Sequence, residues 1–158
     1  MINMDLKELR ISKKITQQEA AHAIGVSLRT YKYYENDDSK KSNYKYQYFV
    51  DALNKQYLID EEHGVLTVED IKSIVASIFE DEDVEFCYLF GSYAKGTATD
   101  SSDVDLLIST SITGMHFYGL AEKLRQALRK KVDLLNLGQL MNNKELTHDI
   151  LKYGVKVY

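Results

Sequence analysis

Five residues in the second half of the chain have types and spacings suited to phosphoryl chemistry: Gly91, Ser92, Asp103, Asp105 and Asp133. Gly91 and Ser92 directly follow the apolar run Val84 to Phe90. A glycine lets a phosphate approach the backbone, and the serine adds a hydroxyl donor. If Ser92 opens a helical turn, its free N–H groups point at an anion. Gly-Ser alone is equally compatible with a plain strand-to-helix turn. A Walker-type phosphate loop does not fit, because Gly96 is followed by Thr97 where that loop needs lysine. Asp103-Val104-Asp105 is more telling. On a strand, residues i and i+2 project from one face, so both carboxylates point the same way. Like charges so close raise each other's pKa unless a cation holds them, and hard divalent cations prefer carboxylate oxygens. Leu106-Leu107-Ile108 continues directly as an apolar strand, which argues against an exposed loop. Asp133 sits between Val132 and Leu134 at the start of another apolar run, where a charge needs a partner or a metal.

The elements that must position these groups are legible from periodicity. Val68, Ile71, Val75 and Ile78 mark one helix face, started by Thr67. Val84 to Phe90, Val104 to Ser109 and Val132 to Leu137 read as strands. Phe117, Ala121, Leu124 and Leu128 mark a helix between the last two. Leu146, Ile150 and Leu151 mark a final helix, with Val155 to Tyr158 as an edge strand. Strand and helix in turn predict one sheet backed by helices. Before a charged stretch at Ile59 to Gly64 the pattern is different, with four short helices over Leu6–Lys13, Thr16–Ile24, Ser27–Glu35 and Lys45–Tyr57. Thr16 and Glu19 form a capping box, Ser27 is a good N-cap, and Gly25 suits a helix end that needs positive φ. The division predicts an all-α domain over 1–64 and an α+β domain over 65–158.

Bulk properties agree with two small folded modules. The 158 residues are 44% hydrophobic and 28% charged, with a net charge of −4. Residues 1–59 carry ten Lys/Arg against seven Asp/Glu, and residues 65–158 carry ten against fourteen, so the modules are expected to meet different partners. No apolar run is long enough to span a bilayer and no apolar leader follows Met1, so a cytoplasmic protein without membrane contact is expected. The single cysteine, Cys87, lies in an apolar run and is expected to be a buried, inert thiol. His22, His63, His116 and His148 show no metal-ligand spacing and are expected at the surface or at caps.

Gly-Ser, ten intervening residues, Asp-x-Asp on a strand and a later Asp on a neighbouring strand resemble the DNA polymerase β-like nucleotidyltransferase superfamily. The run from Phe90 to Ile108 is closest to its minimal nucleotidyltransferase (MNT) branch, and the ending from Asp149 to Tyr158 is similar too. The resemblance covers about residues 67 to 158. It implies a mixed-sheet domain with flanking helices in which Asp103, Asp105 and Asp133 bind two Mg²⁺ ions and carry catalysis on ATP. Gly91, Ser92 and Lys95 would bind the nucleotide. Lys95 stands where many relatives have arginine, which keeps the charge but not the bidentate fork.

Leu9-Arg10, the run Ile15 to Ser27 and Tyr34-Glu35-Asn36 resemble the phage-repressor-like helix-turn-helix family over about residues 4 to 58. Ala21, Ile24, Val26, Tyr31 and Tyr34 would take the core positions of the helix pair. The resemblance implies a DNA-binding domain with Leu28, Arg29 and Lys32 facing the major groove, while Gln17, Ser27 and Thr30 suit backbone phosphates. A helical module kept for partner contact is the plainer alternative. The run Tyr44, Tyr46, Tyr48 is read as core and wall.

Three functions compete at this stage. The pairing resembles an MNT-type antitoxin that transfers AMP to a hydroxyl, expected to be a tyrosine, of a HEPN-type RNase toxin while its helix-turn-helix represses operator DNA. A small-molecule, antibiotic-modifying nucleotidyltransferase is the second, although only about 25 residues follow Asp133. A DNA-binding regulator that neutralises a toxin by binding alone is the third. A homo-oligomer or hetero-oligomer fits each of them.

Overall fold

The computed structural model describes residues 4–158. It divides into two compact units, one ending at Leu58 and one over Ile59–Tyr158. No helix among the described residues is long and apolar enough to cross a membrane.

The first unit holds four helices: α1 Leu6–Ser12, α2 Gln17–Ile24, α3 Leu28–Glu35 and α4 Tyr44–Gln56. Local chemistry sets their starts. Asp5 and Glu8 close one capping box and Thr16 and Glu19 another, each pair satisfying two N–H groups that a helix start leaves unpaired. Ser27 Oγ accepts from Thr30 N at 3.1 Å to start α3. Gly25, at φ 80°, ends α2 in the left-handed region and frees the chain to turn. Leu6, Ala20, Ala21, Ile24, Tyr31, Tyr34, Phe49 and Leu53 share one core, with Val26 packed at its margin. The tyrosine run splits as its helical spacing requires. Tyr46 is buried with its hydroxyl accepting from Leu6 N at 2.7 Å, whereas Tyr44 and Tyr48 are exposed.

The second unit runs α5 Val68–Phe79, β1 Val84–Phe90, α6 Gly91–Lys95, β2 Val104–Thr110, α7 Gly114–Leu128, β3 Val132–Asn136, α8 Lys144–Tyr153 and β4 Val155–Lys156. Its four-stranded sheet has the order β3-β2-β1-β4. β1 is antiparallel to β2 and β4, and β2 is parallel to β3, so the sheet is mixed. The right-sized connection for the parallel pair is α7, as a crossover demands.

The two sheet faces differ in cover. Cys87, Leu89, Val104, Leu106, Ile108 and Leu134 face a large core with Ile71, Val75 and Phe79 of α5 and Leu120, Leu124 and Leu128 of α7. Burial pushes the Cys87 thiol up to about 12, so it is inert at neutral pH. The opposite face is thinner, with Phe90, Leu107 and Leu140 packed against Ile150 and half-buried Leu146 of α8. Leu151 does not join them and is 83% exposed. Leu146 and Ile150 are four apart and share a stripe, while Leu151 is turned about 100° away from Ile150. The apolar face expected of the last helix is therefore narrower than Leu146, Ile150 and Leu151 together.

Candidate active site

Strand pairing gathers the predicted acidic residues at one end of the sheet. Asp105 is the register partner of Phe90 on one side and of Asp133 on the other. Asp103 lies two residues before Asp105, just ahead of β2. Alternation places Asp105 with Leu107, and Asp133 with Leu135, on the thinly covered face, since Leu106 and Leu134 belong to the large core. Asp105 is half-buried, while Asp103 and Asp133 are exposed.

Gly91 is fitted to Asp105. Its φ is 68°, a left-handed backbone that favours glycine. A Cβ placed there would overlap Asp105 Oδ2 and lie 3.0 Å from Asp105 Cγ. Phe90, the residue before it, is the N-cap of α6, and no side chain caps that helix. Ser92 follows at the first turn, half-exposed, with its carbonyl accepting from Thr97 N at 2.9 Å. The loop thus sets the Gly91 backbone against the Asp105 carboxylate, with the Ser92 hydroxyl on the next residue.

Electrostatics mark Asp105 as the strained member. Burial pushes its carboxyl up to about 6, and the charges of Asp133 and then Asp103 push the same way. Among the described residues, no three His, Cys, Asp or Glu side chains are close enough to form a ready-made metal cluster. The three aspartates share an end of the sheet without closing into a ligand set. Their chemistry nonetheless suits a hard divalent cation, which takes oxygen ligands and would relieve the repulsion at Asp105. The cradle at Gly91 that a Cβ would fill keeps the Asp105 carboxylate facing the loop.

Lys95, expected at the nucleotide, is engaged elsewhere. Its Nζ pairs with Asp149 Oδ1 at 2.8 Å and lies 5.1 Å from the Tyr153 ring centroid, both on α8. A phosphate at Lys95 has to compete with Asp149. Asp149 and Tyr153 fall in the ending that resembles the MNT branch, but nothing in the sequence joins them to Lys95, because that pairing depends on α8 crossing the thin face.

The DNA candidates cluster in the first unit. Arg29 and Lys32 are exposed on α3 with no ion-pair partner among the described residues. Leu28 is half-buried. Ser27 and Thr30 bond each other, Oγ to Oγ1 at 2.8 Å. Gln17 Nε2 donates to Glu35 Oε1 at 2.8 Å, so part of its amide is already committed. Two histidines are tied to carboxylates: His63 Nδ1 meets Asp60 Oδ1 at 2.8 Å and His116 Nε2 meets Glu82 Oε2 at 2.9 Å.

The chain matches the helix-turn-helix family over residues 6–44 and the family described as polymerase beta, nucleotidyltransferase over residues 69–158. It is 31% identical over 94 residues to the putative protein adenylyltransferase MJ0128 of Methanocaldococcus jannaschii, covering 54% of this chain and 96% of that protein. It is 39% identical over 56 residues to the protein adenylyltransferase MntA of Shewanella oneidensis, a match that spans 34% of this chain and only 40% of MntA. A crystal structure of a toxin–antitoxin with AMP-PNP is 27% identical over 55% of this chain and 72% of that one, at a TM-score of 0.47. With its mixed sheet, its Gly91–Asp105 contact and a match over 69–158, the chain belongs to the polymerase beta nucleotidyltransferase family.

Proposed function

We propose that the second unit transfers AMP from ATP to a hydroxyl, most simply a tyrosine, of a partner HEPN-type toxin. In this reading the first unit represses operator DNA. The observation that carries the enzymatic half is Asp105, held between Gly91 and Asp133 at one end of the sheet. The two relatives named protein adenylyltransferases support AMP as the group moved and protein as the acceptor. The resemblance to antitoxin-type MNT domains supports the toxin as that protein.

Asp103, Asp105 and Asp133 would hold Mg²⁺, two ions by analogy with the superfamily, which when bound would neutralise triphosphate charge. The remaining roles fall to the chain. Backbone N–H groups at Gly91 and Ser92, with the Ser92 hydroxyl, would receive phosphate oxygens at the uncapped start of α6. Gly91 keeps that approach open. Asp133 is exposed and accepts the proton from the acceptor hydroxyl as its oxygen bonds to the α-phosphorus. The bond from the α-phosphorus to the bridging oxygen breaks, pyrophosphate leaves, and the proton passes to solvent. A thinly covered face with Asp103 and Asp133 exposed suits an acceptor that brings its own surface.

The test is transfer from labelled ATP to a HEPN-type toxin. Wild type should label the toxin and release one pyrophosphate per AMP, and Asp105→Asn should lose labelling by orders of magnitude. Equal toxin neutralisation by both proteins in cells would reject transfer as the mode of action and favour neutralisation by binding.

A further inference from the structure

Among the described residues, Lys130 is the polar or charged residue buried as a whole, at 0% exposure. Lysine in a helix-to-strand turn ordinarily reaches solvent, so an inward one needs a reason. Arg129 supplies the local cause. It ends α7 in the left-handed region at φ 57°, with its N–H on Arg125 O at 2.9 Å, and the chain turns Lys130 inward. Burial pushes the ammonium below its ordinary range, against the opposing charges of Asp60 and Asp100.

The ammonium is spent on two loops. It donates to His63 O at 3.1 Å and makes a short hydrogen bond to Asp100 O. Asp100 lies in the segment that leads into Asp103. That segment is folded on itself, with Ser102 N donating to Thr99 O at 3.0 Å and Thr99 N to Ser102 Oγ at 2.8 Å. The next residue, Lys131, accepts from Val104 N at 2.8 Å. Consecutive residues of one turn therefore grip the chain on both sides of Asp103, and the same turn runs into Asp133 two residues later.

We propose that Lys130 is a positioning residue that fixes Asp103 relative to Asp133 by pinning the Asp100 carbonyl. It rests on the reading of these aspartates as the working carboxylates. A pin of this kind sets the spacing of the two acids before any cation or nucleotide arrives, so the ordering is done in advance. Lys130 touches no carboxylate of the site and acts through the backbone alone.

The test separates a pin from an ordinary stabiliser. Lys130→Met removes the donor at similar length and takes it from the Asp100 carbonyl, whereas His63 O keeps the N–H of Asp60 at 3.0 Å. Phe79→Leu, remote on α5, serves as a control of comparable destabilisation. Amide exchange of residues 99–104 is followed in full-length, metal-free protein, and Mn²⁺ binding is measured separately well below both melting temperatures. Lys130→Met should speed exchange at 99–104 by about tenfold or more over the control while β1 and the remainder of β2, residues 105–110, keep their protection, and should weaken Mn²⁺ binding by about tenfold. Lys130→Gln, which keeps an amide donor, should fall between, and it carries the same measurements should the Met variant not fold. Exchange and Mn²⁺ affinity matching those of Phe79→Leu would overturn the proposal. Wild type that binds no Mn²⁺ would overturn the reading of the carboxylates, whereas unchanged exchange at 99–104 would overturn the pin itself.

Discussion

The carboxylate of Asp105 fills the space that a side chain on Gly91 would need, and Gly91 directly follows Phe90, the residue of β1 that pairs with Asp105 across the antiparallel strands. One relationship thereby ties the Gly91–Ser92 loop to Asp105. The glycine is required twice, by its left-handed φ of 68° and by the neighbour that occupies its Cβ position.

Gly91→Ala should fail on both counts. Backbone strain at a positive φ costs about 1–3 kcal/mol, and the methyl must push the Asp105 carboxylate away. Transfer should fall by about a hundredfold, since a shift of about 1 Å at reacting groups has that effect. Combining it with Asp105→Ala should return part of the lost stability, because the overlap is then removed. Melting temperatures in a double-mutant cycle check this. Strictly additive losses would show that the two residues do not compete for space.

Asp105 should also make stability depend on pH in the absence of metal. Its folded-state pKa of about 6 lies above the ordinary 3.8, so the native state holds this proton more tightly than the unfolded chain. The contribution of Asp105 is then fully present below about pH 4 and is lost as pH rises through about 6, where the carboxylate ionises beside Asp133 and Asp103. Asp105→Asn removes that loss. In EDTA the variant should match wild type near pH 4 and melt higher at pH 7. With Mg²⁺ and ATP at pH 7 the order should reverse, because only wild type gains a bound cation. Parallel melting curves across this range would count against a strained Asp105.

Much of this site was legible because it is written at short range. Asp103-Val104-Asp105 carries the strand period, and the apolar runs on either side of Asp105 and Asp133 announce the strands that pair them. What the sequence could not show is contact across long separations. Lys95 reads as a nucleotide-binding cation, and its pairing with Asp149, 54 positions on, appears only once α8 is in place. Lys130 carries no signal of its own in the sequence, and it is a left-handed Arg129 that turns it inward. Leu151 reads as core because a short apolar pair does not reveal which of its members faces the sheet.

The first unit depends on a second long-range pair. Arg10 Nε donates to Glu35 Oε2 at 2.8 Å, and the Glu35 side chain is 1% exposed. Burial alone raises the Glu35 carboxyl, but hydrogen bonds from Arg10 and Gln17 outweigh it and hold it below its ordinary range. Arg10→Met should cost about 3 kcal/mol, as removing one partner of a buried pair leaves an uncompensated charge. A lowered carboxyl contributes stability above the unfolded value of 4.5 and loses it as pH falls through the folded one. The gap between variant and wild type should therefore narrow in acid. Chemical denaturation at pH 7 and pH 3.5 measures it, and a gap unchanged with pH would place the energy of Arg10 in packing rather than charge.

DNA reading makes the last and most separable prediction. Arg29 and Lys32 are exposed on α3 without an ion-pair partner among the described residues, whereas Ser27 and Thr30 are occupied with each other and Gln17 with Glu35. The two cations should consequently differ in kind. Arg29 can pair with a guanine edge through two N–H groups, so Arg29→Ala should cost about 1–3 kcal/mol and relax base preference at one position. Lys32→Ala should weaken all sequences alike and lower the salt slope by about one. Binding of full-length protein to its own promoter, titrated at several salt concentrations, reads both effects. Asp105→Asn should leave them unchanged, because the carboxylates belong to the other compact unit. If wild type ignores that DNA at low salt, α3 is not a reading helix and the module serves partner contact instead.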